Sequence, residues 1–251
     1  MRPVAWPRPG HAAHLLTRAI RLPGRTSSGH TFCMTECPGP PPQATEASRE
    51  QGPNLEKIAN SDLVAQSDAL REIILASQLP SSVLDVAAKM EPPDWYLGAG
   101  VIAQTVWNLA HGYEATQNIK DCDLAYCDTR DLSYEAEDRI IRRGQLFFKG
   151  WPVEVEIRNQ ARVHLWYEQK FGKLIKPYSS TEEAINTWPT TATSVGVTVD
   201  DGNIRVYAPY GLHDLFAMIV RPNKTLVTRQ VYEAKASRWA KAWPKLRIEQ
   251  W

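Results

Sequence analysis

An α/β or α+β domain with helical appendages is the architecture this sequence predicts, on three observations. From Trp95 onward, short runs of period-two alternation trade places with runs of helical spacing. The turn "DDGN" carries an Asp-Gly pair between two such alternating runs, a strong hairpin signal. Ahead of Trp95 only the helical period occurs, so that stretch adds helices and no strands. No internal repeat shows at any useful period.

Taken in order, residues 1–53 stand apart from the rest. "MRPVAWPRPGHAAHLLTRAIRLPGRTSSGHTF" is basic and broken by proline, and "ECPGPPPQATEASREQGPN" is rich in Pro, Gly, Ser and Glu. Both have the composition of a disordered extension. Within it "HLLTRAIRL" is amphipathic with no acid nearby, as in a mitochondrial presequence. The reading preferred here is a disordered extension, or a start at Met34, on a cytoplasmic protein; the alternative is a mitochondrial one.

Folded structure is expected over 54–251. "NLEKIANSDLVAQSDALREIILASQLP" sets Leu63, Leu70, Ile73 and Ile74 at helical spacing. Pro80 is expected to end this helix pair, and Ser81 or Ser82 to cap the next helix, "SSVLDVAAKM". A short strand "WYLGAG" follows, then a helix "VIAQTVWNLAHGY", a strand "CDLAYCD", an acidic helix "DLSYEAEDRIIRRGQ" and a strand "VEVEIR". "SSTEEAINTW" opens on a capping box, with Ser180 three residues before Glu183. "SVGVTV" and "IRVYAP" form the hairpin. "GLHDLFAMIV" reads as a short helix stopped by Arg221-Pro222, and a last helix runs from about Val227 to Trp243 with a strand after Pro244.

With 43% hydrophobic and 23% charged residues the chain reads as globular. No uninterrupted apolar stretch approaches the roughly 18 residues of a membrane span. The net charge of +1 hides an asymmetry: residues 1–35 hold five Arg and no acid, leaving 24 Lys plus Arg against 28 Asp plus Glu, or −4, on the remainder. A mildly acidic body is not that of a general nucleic-acid coat. Cys33, Cys37, Cys122 and Cys127 show neither zinc spacing nor a disulfide framework and read as reduced thiols.

The chemistry centres on "NIKDCDLAYCD". In a strand, Asp121 and Asp123 share one face while Cys122, Leu124 and Tyr126 take the other. Two adjacent carboxylates repel each other and resist burial. They could be solvated residues of an edge strand, an acid/base pair as in glycosidases, or ligands to a divalent cation. A metal phosphohydrolase is a weaker fourth reading, because no His/Asp cluster accompanies the pair. Context favours metal. Gly98 and Gly100 precede the pair and let backbone approach a ligand. The helix from Val101 then aims its N-terminal amides at whatever sits there, which suits phosphate.

This order of glycine turn, helix and Asp-x-Asp resembles the polymerase-beta-like nucleotidyltransferase superfamily, and its spacing is similar to the head domains of CCA-adding enzymes and bacterial poly(A) polymerases. From about Trp95 onward the chain looks like an uncharacterised nucleotidyltransferase-like family, on "AGVIAQTVWNLAHGY", "DCDLAYCD", "EIRNQARVHLWYEQKFG", "PYSSTEEAINTWPTTATSVGV" and "APYGLHDLFAMIVRPN". The resemblance implies a nucleotidyltransferase fold, a short mixed β-sheet flanked by helices, over 54–251. It implies a third carboxylate at Glu156, which precedes "NQAR" by three, with Glu154 in reserve. Asp121, Asp123 and Glu156 would then hold two Mg²⁺ (or Mn²⁺) ions. The expected partners are a nucleoside triphosphate and an unidentified hydroxyl acceptor on RNA, protein or a small molecule. Gly98, Gly100, Gln104 and Arg162 are the expected nucleotide-binding positions. The family pattern has an Arg-Asn pair where this chain has Ala103-Gln104, so a bidentate anion contact is missing. Arg158 or Arg162 could replace it. The alternative is a catalytically inactive nucleotide-binding or interaction module that retains the fold.

Other residues have ordinary explanations. The threonines of "WPTTATSVGV" suit either a base pocket or a strand. Trp107, Trp166, Trp188, Trp239 and Trp243 are expected to pack helices. The basic end "KASRWAKAWPKLR" reads as an amphipathic helix with a solvated face, or as a surface that touches nucleic acid.

Overall fold

Residues 53–251 are described by the computed structural model; the expected N-terminal extension, up to its last residue, lies outside them together with Met34 and the presequence-like stretch. Three helices come first. α1 (Leu55–Ala59) is capped by Asn54, whose side chain accepts from the Lys57 N–H at 3.0 Å, and α2 (Leu63–Ala76) by Asp62, which accepts from Ala65 N–H at 2.8 Å. These caps satisfy amides that a first turn leaves without an intrahelical acceptor. α3 (Gln78–Met90) differs from the expectation: Ser77 stands at its N-cap, and Pro80 lies inside its first turn. Proline lacks the N–H that a first turn has no use for, so here it begins a helix and does not end one.

The sheet-forming part follows: β1 (Tyr96–Gly98), α4 (Gly100–His111), β2 (Asp121–Tyr126), α5 (Tyr134–Phe147), β3 (Glu154–Asn159), α6 (His164–Phe171), α7 (Thr181–Ile185), β4 (Gly196–Asp200) and β5 (Asn203–Tyr207). The strand order is β3-β2-β1-β4-β5. β2 and β3 are parallel, with α5 as their crossover, and the other neighbours are antiparallel. The β4–β5 turn is the expected one: Asp201 (φ 46) and Gly202 (φ 76) both take the positive φ that a two-residue I′ hairpin requires.

"GLHDLFAMIV" is only partly helical. α8 (His213–Phe216) ends within one turn, Met218 turns the chain at φ 55, and β6 (Ile219–Val220) pairs in parallel with β7 (Arg247–Ile248), which follows α9 (Arg229–Ala242). A partner strand some thirty residues downstream overrides the local helical pattern, as tertiary pairing does over weak propensity.

Alternation sorts the two faces of the main sheet. Leu97, Cys122, Leu124, Tyr126, Val197 and Ile157 lie on the apolar face and are buried in the core. α3 and α5 belong to that core, with Ile157 and Met90 closing on Gly144 of α5. α4 is buried from Val101 to Asn108, an all-round burial that fits its almost continuous apolar sequence. α9 docks on α4 through Trp107, whose ring centre lies 5.5 Å from that of Trp239 and 5.4 Å from that of Trp243. Trp243 Nε1 donates to Asn108 Oδ1 at 2.7 Å. Trp166 and Trp188 are only half-buried. Among the described residues no helix is long and apolar enough to cross a membrane.

Candidate active site

The other face of the same sheet carries the acids. In the parallel β2–β3 register Asp121 lies opposite Glu154 and Asp123 opposite Glu156. Paired positions in a ladder point to one side, so all four carboxylates project from one face, across neighbouring strands spaced about 4.8 Å apart. On the other flank of β2, Gly98 is the antiparallel partner of Asp123. The expected third carboxylate is therefore on the same side as the aspartates, and the glycine turn abuts the second of them.

Both glycines lie close under side chains of the same chain. A side chain on Gly98 would stand 2.3 Å from the Trp188 ring, and one on Gly100 would stand 3.1 Å from Gln104 Nε2. The space they leave is taken by this chain's own side chains: Trp188 lies on Gly98, and Gln104 folds back over the start of α4. Gln104 is buried, and its Oε1 makes no hydrogen bond, an arrangement that costs about 1–3 kcal/mol. Between the glycines Ala99, at φ 49 and ψ −109, holds a conformation that alanine rarely adopts; its N–H donates to the Val195 carbonyl at 3.1 Å. The neighbouring threonines close on themselves: Thr190 and Thr193 hydroxyls are 2.8 Å apart, and Ser194 Oγ donates to the Thr190 carbonyl at 2.9 Å.

The remainder of this face is shut. Ile185 of α7 packs over Gly196, and the Tyr96 hydroxyl donates to Glu182 of α7 at 2.5 Å, with Arg205 bonded to both. Above β2 and β3 the same face carries the acidic side chains. There, burial, followed by repulsion from Asp121, pushes Asp123 up to about 7, with Glu156 adding to the rise and Lys235 and Arg158 opposing it. Cys122, behind the strand, is pushed up to about 12 by burial and then by both aspartates.

Arg162 is spoken for. Its guanidinium pairs with Glu137 of α5, donates through Nε to the Leu132 carbonyl at 3.0 Å and lies 5.9 Å from the Tyr134 ring centre. Glu137 also accepts the Asn159 N–H at 3.0 Å. This network ties α5 to the far end of β3, and it holds the guanidinium of Arg162, the expected phosphate contact, against Glu137. The cations that do bear on the acids are Arg158, two residues along the same face of β3 from Glu156, Lys170 of α6, which feels Glu156, and Lys235 of α9, which feels Asp123 and Asp121. Burial lowers both lysines. Lys170 and Lys235 were missed because nothing local marks them; Lys170 is the lone lysine of a short helix, and Lys235 is one cation among several on α9.

Comparison with known proteins gives the chain a family and a fold. A nucleotidyltransferase family model matches residues 85–248, well over half of the chain. The chain belongs to that nucleotidyltransferase family. The match runs from α3 to β7 and so contains every strand of the site. A solved NMR structure described as revealing a CCA-adding enzyme head domain superposes with a TM-score of 0.61 at 21% identity, covering 79% of this chain and 100% of that one. That likeness is one of fold. Among curated proteins no significant match is found.

A divalent ion suits the donors of this family member: carboxylate oxygens are hard ligands of the kind Mg²⁺ and Mn²⁺ take, and burial followed by repulsion from Asp121, which such an ion would relieve, raises Asp123. Among the described residues, however, no three such side chains converge closely enough to hold an ion as they stand.

Proposed function

We propose that the protein transfers a nucleoside monophosphate from a nucleoside triphosphate to a hydroxyl acceptor. The observation that carries this reading is the β2–β3 register, which sets Glu156 beside Asp123 on the face Asp121 shares, with the glycine turn adjoining. Asp121, Asp123 and Glu156 would hold the divalent ions. Bound metal supplies Lewis-acid stabilisation of phosphate charge and lowers the pKa of the acceptor hydroxyl. The chain's own residues do the rest. Gln104, whose buried Oε1 has no hydrogen-bond partner and whose Nε2 lies by Gly100, would meet a ligand at the start of α4. Trp188 and α7 cover the β1–β4 half of the face, and this reading places the substrate over β2 and β3.

The test is incubation of the purified protein with each labelled ribonucleoside triphosphate, Mg²⁺ and a cell extract. Label should move to a macromolecule or metabolite, and the Asp121→Asn variant should abolish the transfer. A second reading, a silent nucleotide-binding module, draws on two observations: among the described residues no three acidic, His or Cys side chains form a metal-holding group, and Trp188 and Gln104 lie against the glycines. Nucleotide binding that is tight, independent of metal and indifferent to Asp123→Ala would establish it in place of the first.

A further inference from the structure

A polyphosphate carries more negative charge than carboxylate-bound metal neutralises, and enzymes that handle one add protein cations. The helix that follows the glycine turn offers none: its first two turns, Gly100 to Trp107, contain no Lys or Arg. α9 brings one from the other end of the chain. Its C-terminal end is pinned beside the entrance to β2, where Asn118 Nδ2, three residues ahead of Asp121, donates to the Ala242 carbonyl at 3.5 Å. Trp239 and Trp243 lock the same helix onto Trp107 and Asn108 of α4. The inward stripe of α9 runs through Tyr232, Ala236, Trp239 and Trp243, all buried. Lys235, three residues after Tyr232 and four before Trp239, shares that side of the helix. Its Nζ stands 5.7 Å from the centre of the Trp239 ring, and Asp123 is the charged group that bears on it most, ahead of Arg238, Asp121 and Lys170.

We propose that Lys235 binds the polyphosphate of the nucleotide, supplying from α9 the cation that α4 lacks. This rests on the nucleotidyl-transfer reading of the site. A lysine suits the position, since its ammonium is a point charge on a flexible stem and can reach a phosphate oxygen without a fixed approach angle. The competing role is that of a mere counterion to Asp121 and Asp123. The two roles differ in what they do to nucleotides of different length. A counterion treats mono- and triphosphates alike, and its removal frees the aspartates for metal; a polyphosphate ligand discriminates between them.

The experiment is calorimetric titration of the full chain with each of the four ribonucleoside triphosphates and the matching monophosphates, at fixed Mg²⁺. Lys235→Met should weaken the best-bound triphosphate by about tenfold or more, the scale of one charge-assisted hydrogen bond, and leave the monophosphate within about threefold. Lys235→Arg should restore most of the loss, and Lys235→Gln replaces the Met variant if thermal melting shows that one to be unfolded. Unchanged triphosphate affinity overturns the proposal, as does an equal loss for both nucleotides. Asp123→Ala in parallel separates the failures. If it abolishes metal-dependent binding while Lys235→Met does not, only the role of Lys235 falls. If the wild type binds no triphosphate, or ignores Asp123→Ala, the transfer reading falls and this inference with it.

Discussion

β2 presents two unlike faces from one six-residue strand. Cys122, Leu124 and Tyr126 are buried in the apolar core, while Asp121 is exposed and Asp123 half-buried among other acids. The first face is stable because it leaves water; the second is unstable for the same reason, since burial and repulsion hold Asp123 close to its neutral form. A strand optimised for folding alone would not keep Asp121, Asp123, Glu154 and Glu156 in adjoining register. Arg158 and Lys235 of the same chain oppose the rise at Asp123 without cancelling it, and a divalent ion would offset more of the cost.

Substitutions on the two faces should therefore have opposite signatures. The largest effect expected is on activity: Asp123→Asn should lower nucleotidyl transfer about a thousandfold, equivalent to several kcal/mol of lost charge stabilisation, measured as label transferred per unit time, with thermal stability maintained. Leu124→Ala, one residue along on the other face, should cost about 2–5 kcal/mol in denaturant unfolding while the residual folded fraction retains its activity. If Leu124→Ala were harmless, or Asp123→Asn unfolded the chain, the contrast between the faces would fail.

The third prediction concerns pH. Between the ordinary aspartate value of 3.8 and about 7, the folded chain keeps a proton on Asp123 that the unfolded chain has released. The contribution of Asp123 to stability is thus intact at acid pH and is lost as pH rises through that window. Metal-free protein should melt at a higher temperature near pH 6 than near pH 8 for this group's part, the Asp123→Asn variant should lose that slope, and added Mg²⁺ should stabilise the wild type more at pH 8 than at pH 6. The smallest effect lies in the glycine turn. Ala99→Gly should raise stability by about 1 kcal/mol by relieving the backbone strain at φ 49, and an unchanged or lowered melting temperature would count against strain there.

Much of this was legible beforehand where a local period or a local turn decides the outcome. The alternation of "DCDLAY" and "VEVEIR" separates acid faces from apolar ones, and "DDGN" dictates its own turn. Pro80 and the stretch after Leu212 misled for related reasons. A proline ring is read as a terminator unless the cap at Ser77 is known, and Ile219-Val220 looks helical until Arg247-Ile248 arrives to pair with it. Arg162 sits in a motif beside Glu156, yet its nearest acid is Glu137 on α5, and no spacing rule foretells that pair.

Residue order along the chain settles which side of each strand is acidic, because successive Cβ atoms alternate whatever the strand lies next to. It leaves open the register of β2 against β3, the seating of Trp188 on Gly98 and the approach of Lys235 to Asp123. Each of those joins elements separated by tens of residues, and such meetings are chosen by the packing of the whole core, with α9 brought to the acids only because Trp239 and Trp243 are buried against α4.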